Sequence, residues 1–190
     1  MKLSFKQYIE ERKDHHDTEQ FKTWFGLSKA VDKDGNPQVL YHATPHDFEA
    51  FKVGGVDPKI SGHAIWLTND KHKQPAGHNT NSIKNKYREG TNVMPVYAKI
   101  LRPLVIDDKD MLEWAQAVFA DGSKEFPQFM PKAWKDEVTK DGEYDSIIFD
   151  GKKLWGDSAH VEIIVFDPKQ IKSAIGNDGQ YNPDDERITK

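Results

Sequence analysis

VEIIVFDP, residues 161–168, is the stretch on which the fold turns. Apart from Glu162, the residues from Val161 to Phe166 are Val, Ile or Phe, a short β-branched run that suits a strand buried on both faces. Asp167-Pro168 then signals a turn. Glu162 breaks the apolar pattern. A carboxylate inside such a strand is costly to bury unless it lies at the strand's beginning and faces a cleft. Taken alone, it reads first as a charge on an edge strand paired with a lysine, because most lone carboxylates are solvated.

Working outward, Tyr144 to Phe149 is a second apolar run fit for a central strand, and Val93 to Leu101 and Leu104 to Ile106 are strands broken at Pro103. Ala64 to Thr68 is a short apolar strand. Asp34-Gly35-Asn36-Pro37 is a turn, and Gln38 to His42 behind it alternates as a strand that His42 closes. Helical spacing marks Asp110 to Ala120 and Pro131 to Val138. Leu3, Phe5, Tyr8 and Ile9 predict one small N-terminal helix, and Phe21, Trp24 and Phe25, capped by Thr18, a second. A polar segment up to Gly90 holds a helix around Ser82 to Arg88, and the Gly-, Asn-, Asp- and Pro-rich tail from Gly176 reads as a loosely packed end. Helices and strands do not alternate regularly, so the pattern points to α+β with a mixed or antiparallel core, not to a doubly wound parallel sheet.

Five Trp, six Tyr and ten Phe in 190 residues predict a packed globule, and one domain fits that length. The net charge is −4, with lysines scattered among acids, so nothing demands a nucleic-acid or anionic-membrane partner. The absence of cysteine excludes disulfides, thiolate zinc sites and cysteine nucleophiles. MKLSFKQYIEERK lacks the apolar core of a signal peptide and no run reaches the length of a membrane span, so a soluble, cytoplasmic protein is expected.

The histidine at the end of VLYHAT, residues 39–44, is open to three readings: a buried, hydrogen-bonded ring, a metal ligand, or a ring holding a hydroxyl of a bound cofactor. His42 and His46 straddle Pro45 and His15 and His16 are adjacent, so no ligand spacing supports a metal, and none is expected. Ser61 stands in SGHAI without a nucleophile elbow, and no GxGxxG or GxxxxGK[ST] loop follows a strand.

Three separated pieces then combine: YHAT at 41–44, GHAIWLT at 62–68 and VEIIVFDP. This ordered set resembles the His, Tyr and Glu motifs of the ADP-ribosyltransferase superfamily, in the branch similar to diphtheria toxin and the poly(ADP-ribose) polymerases. With the flanks FKTWFGLSKAVDKDGNPQVLYHAT, NVMPVYAKILRPLVID, YDSIIFDG and VEIIVFDPKQIKSAIGNDGQYNP, it most resembles the ADP-ribosyltransferase domain of phage and mobile-element polyvalent proteins. The resemblance implies an α+β fold with a split, mixed or antiparallel sheet and flanking helices over residues 21–183, behind a helical extension at 1–20 and before a tail at 184–190.

It also implies NAD as substrate, without a metal. By position, His42 would hydrogen-bond a ribose hydroxyl of NAD. Ala43, where the family has glycine, would offer its backbone N–H and C=O to the nicotinamide amide, with Thr44 completing the turn. Trp66 would wall the nicotinamide pocket. Glu162 would be the catalytic carboxylate that holds the ribose and stabilises the cation formed as nicotinamide leaves. The family's second stacking tyrosine is missing from QPAGHN, so His78 substitutes or the position is lost. His160 stands where arginine-modifying members carry glutamate, which makes arginine a less expected acceptor. Trp155 and His160, in the loop 151–160, are the expected acceptor-recognition residues, although a plain hairpin connection explains that loop as well. The implied activity is transfer of single ADP-ribose units to a macromolecule, protein before nucleic acid, by a phage or mobile-element effector or toxin. A catalytically silent module or virion component is the alternative: Ala43 and the missing tyrosine favour it, His42 and Glu162 oppose it. The related RNA 2′-phosphotransferases rely on arginines, and this chain has only Arg12, Arg88, Arg102 and Arg187.

Overall fold

The strand expected around Glu162 forms at Val161–Val165 in the computed structural model, and three of its residues, Ile163, Ile164 and Val165, are fully buried. Residues 16–44, 47–53, 63–70, 92–119, 132–156 and 160–190 are described by the structure. Their elements, in chain order, are α1 (Glu19–Phe25), β1 (Leu40–Thr44), β2 (Ile65–Thr68), β3 (Asn92–Ala98), β4 (Pro103–Ile106), α2 (Lys109–Phe119), α3 (Lys132–Val138), β5 (Ser146–Asp150), α4 (Gly151–Trp155), β6 (Val161–Val165) and β7 (Ile171–Ser173). The strands make one sheet in the order β4-β5-β6-β2-β1-β3-β7. β4 and β5 run parallel and the other neighbours antiparallel. This is the α+β fold with a largely antiparallel, mixed sheet and flanking helices that the sequence pattern predicts. No helix among the described residues is long and apolar enough to cross a membrane.

Two apolar layers clamp the middle of the sheet. Strand alternation sends Ile65, Leu67, Ile163 and Val165 into one layer, with Phe21, Trp24 and Phe25 of α1, and sends Trp66, Ile164, Ile147 and Phe149 into the other, with Ala115 of α2, Val138 and Leu154 of α4. Burying each Ile or Val is worth about 2 kcal/mol, and these neighbours offset the cost of a carboxylate on the same strand.

The sheet is also split. β2 and β6 are paired along their length, from Ile65↔Val165 to Thr68↔Glu162, and β1 and β3 from Leu40↔Val96 to Thr44↔Asn92. β1 and β2, which join the two halves, are paired only at Tyr41↔Thr68. Past that point the main-chain ladder between the two strands stops.

Some expected boundaries move. The strand read at Gln38 to His42 runs instead from Leu40 to Thr44: the Gln38 amide donates to the Ala30 carbonyl and Pro37 bridges Val31, while pairing of Ala43 and Thr44 with β3 carries the strand past His42, which does not close it. The strand read through Leu101 stops at Ala98. The Ile100 amide turns to the Ser28 hydroxyl, and the amides of Leu101 and Arg102 turn to the Asp145 carboxylate. The connection read as a loop from Gly151 contains α4, whose first amides, Lys152 and Lys153, are capped by Asp150 and whose Leu154 is buried. The expected loose tail is instead packed. Tyr181 and Ile188 are buried, the Tyr181 ring lies 5.0 Å from Phe21, and the fully buried Lys172 of β7 donates to the carbonyls of Asp185 and Arg187. Burial lowers the Lys172 pKa by desolvating its ammonium. The helices expected at Leu3 to Ile9 and Ser82 to Arg88 lie outside the described residues.

Candidate active site

Residues two apart on a strand share a face. His160, just before β6, and Glu162, its second residue, therefore meet: His160 Nε2 lies 2.9 Å from Glu162 Oε1. An ionised carboxylate only accepts, so Nε2 carries the hydrogen and donates. The side chains are 19% and 6% exposed, respectively, which puts the hydrogen bond at the border between core and solvent. A hydrogen bond to a charged group is worth about 1.5 to 3 kcal/mol and offsets part of the desolvation of Glu162. Asn69 fixes the start of the strand, its amide donating to the Val161 carbonyl at 3.2 Å and its side-chain oxygen accepting from the Val161 amide at 3.0 Å.

Pairing places Glu162 opposite Phe149 on one side and Thr68 on the other, and Thr68 opposite Tyr41. Directly opposed residues share a face, so Tyr41, Thr68 and Glu162 form a row across three strands, at the position where β1 and β2 are paired. Thr68 is buried and its hydroxyl accepts from the Asp70 amide.

His42 follows Tyr41 and alternates to the opposite face, where its ring lies edge-on to Phe51 at 4.9 Å. Its Nδ1 reaches across the split to the Trp66 carbonyl, at 3.0 Å. A side chain thus joins β1 to β2 where main-chain pairing has ended. A carbonyl only accepts, so Nδ1 holds the proton and Nε2 of the neutral ring is an acceptor. The Trp66 carbonyl and Thr68 are two residues apart on β2, about 7 Å along the strand. One strand therefore anchors the imidazole and faces the carboxylate.

Of the other expected site residues, Ala43 lies on the split edge of β1, paired on its far side with Val93, and Thr44 is buried at the end of β1. The Trp66 side chain is buried in the helix-covered layer with Ile164 and Leu104. Trp155 ends α4. His78 lies outside the described residues. No group of three or more His, Asp and Glu side chains among the described residues is placed to hold a metal ion. Tyr41, Thr68 and Asn69 carry no functional signal of their own in the sequence. Tyr41 and Thr68 stand inside the YHAT and GHAIWLT motifs, but only long-range pairing sets them beside Glu162.

A cleft of about 900 Å³ opens at the other end of β6, lined by Phe51, Lys99, Tyr144, Asp145, Phe166 and Gln170 among others. From Glu162 to Phe166 the strand runs about 13 Å, so this cleft is separate from the carboxylate.

The family model described as ADP-ribosyltransferase in polyvalent proteins matches residues 32–181. That span runs from the turn before β1, through β1, β2 and β6, to Tyr181. No curated protein and no solved structure matches the chain.

Proposed function

The chain belongs to the family of ADP-ribosyltransferases of polyvalent proteins, and from that membership we propose that it transfers single ADP-ribose units from NAD to a macromolecular acceptor, releasing nicotinamide. The observation that carries the proposal is the carboxylate of Glu162, 5% exposed, at the start of an otherwise apolar strand and next to a split sheet.

In this reading NAD lies in the split. Nε2 of His42 accepts a hydrogen bond from a ribose hydroxyl, its ring held by the Trp66 carbonyl. The main-chain edge of β1 around Ala43 binds the nicotinamide amide as an added strand would, and alanine keeps both backbone groups that glycine would offer. As the C1′–N bond breaks, its electron pair neutralises the pyridinium nitrogen and positive charge spreads over C1′ and the ring oxygen of the ribose. Glu162 stabilises that charge, which exists only at and beyond the transition state, so its contribution falls on rate more than on binding. The acceptor then attacks C1′ and gives its proton to solvent. We assign the chain to the His-Tyr-Glu branch, with Trp66 in the tyrosine position; His78 substitutes as the second ring or that position is lost. Trp155, at the end of α4, is the residue we assign to acceptor recognition. A protein acceptor is preferred to nucleic acid, since the net charge is −4 and the lysines form no block. The setting we propose is the cytoplasm of a host, with the protein as an effector or toxin of a phage or mobile element.

The test is incubation with NAD labelled in its adenylate half and a cell lysate, followed by separation of protein from nucleic acid. Label on protein that is lost with Glu162→Gln supports the proposal. A folded protein that binds no NAD and transfers no label is a silent binding module instead.

A further inference from the structure

We infer that His160 is the positioning residue of Glu162, its ring N–H holding the carboxylate in place at the start of β6. The inference rests on the proposed role of Glu162. Three observations carry it. The His160 Nε2 to Glu162 Oε1 distance is 2.9 Å, short enough to fix the carboxylate rotamer. Glu162 is almost fully buried, so a bond to it is weakly screened. The His160 backbone is itself held, since the next residue, Val161, is clamped by both its amide and its carbonyl to Asn69.

A lysine at 160 would also reach the carboxylate, but from a long flexible stem that bonds without fixing its rotamer. The imidazole supplies its N–H from a rigid ring on a clamped stretch of backbone. Glutamine can imitate this arrangement, because its Nε2 lies at the same number of bonds from the backbone as the histidine Nε2 along one side of the ring. With Nε2 committed to Glu162, His160 shapes catalysis through that carboxylate and not by gripping an acceptor.

Three variants test this: His160→Gln, His160→Leu and His160→Lys, each assayed for nicotinamide release over a range of NAD concentrations, with thermal unfolding as a check on folding. Glutamine is expected to keep kcat within a few-fold. Leucine is expected to lower kcat about 10- to 100-fold, the rate equivalent of one hydrogen bond to a charged group, with KM little changed. Lysine is expected to fold and bind NAD, yet to lose kcat as well. Wild-type kcat in the leucine variant would overturn the inference, and so would wild-type kcat in the lysine variant, which would show that any donor serves. If leucine does not fold, glutamine against lysine decides. Glu162→Gln, run alongside, separates the two failures. An inactive Glu162→Gln with an active His160→Leu removes only His160, whereas a fully active Glu162→Gln removes the catalytic reading itself.

Discussion

The two ends of β6 use polar side chains in opposite ways. At the far end, Gln170 spends its whole hydrogen-bonding capacity on the backbone. Its Oε1 accepts from the amides of Phe166 and Asp167, and its Nε2 donates to the carbonyls of Lys99 and Asp145. The Asp145 carboxylate beside it takes the amides of Leu101 and Arg102 and the Ser146 hydroxyl. These bonds stitch the β3–β4 connection, the start of β5 and the β6–β7 turn into one knot. At the near end, Glu162 is met by another titratable side chain, His160, and His42 bridges a gap that the main chain leaves open. Polar groups at the far end close the structure, whereas those at the near end hold a charge and an imidazole beside a break in the sheet. The cleft of about 900 Å³ lies at the far end, away from the carboxylate.

The comparison can be broken by exchanging the outcomes. The largest expected effect is that of Glu162→Gln on nicotinamide release at saturating NAD: a fall on the order of 10²-fold or more, with NAD affinity within a few-fold. Its thermal stability should be unchanged or slightly higher, since the variant buries an amide in place of a charge. Gln170→Ala should do the reverse. It strands two amides and two carbonyls and should cost about 3 kcal/mol, a fall in Tm of roughly 6 to 12 °C, while kcat of the folded protein stays near wild type. Calorimetry and the same nicotinamide assay read both. His42→Ala should weaken NAD binding about 10-fold in a calorimetric titration, by loss of one hydrogen bond.

How far the sequence carried this account differs at the two ends as well. Glu162 stands out in VEIIVFDP because a carboxylate in a β-branched run is anomalous, and His42 because it follows the apolar run Val39-Leu40-Tyr41. Their contacts were less visible. The meeting of His160 with Glu162 follows from strand alternation, but only if β6 is known to begin at Val161. The row Tyr41, Thr68 and Glu162 depends on pairing between strands far apart in sequence, which no local pattern encodes. The Gln170 knot is legible only in part. Asp167-Pro168 announces the turn, and the structure adds a capping box between Asp167 and Gln170. Nothing local says that the same glutamine also reaches Lys99 and Asp145. The packed tail was hidden for a related reason: Tyr181 and Ile188 are isolated apolar residues among Asn, Asp and Pro, with no period to reveal the face that they bury.

The smallest effect sharpens the comparison by lying outside both ends of the strand. Asp185, bonded by Arg187, and Asp178, bonded by Lys190, have pKa values held below the ordinary carboxylate value by those partners. A depressed folded pKa contributes stability above the unfolded pKa that is lost as pH falls through the folded one. Acid, from about pH 4 downward, should therefore loosen the C-terminal segment, seen as faster amide exchange at residues 178–190. Exposure to solvent keeps this effect small.

The most direct test of the central claim is a crystal structure of the Glu162→Gln variant with NAD, which should bind the dinucleotide and turn it over too slowly to lose it. The account predicts the nicotinamide ribose within hydrogen-bonding distance of His42 Nε2 and of residue 162, with the carboxamide on the main-chain edge of β1 around Ala43. NAD seated instead in the cleft between Phe51, Tyr144 and Phe166, with the split beside β1 empty, would contradict it.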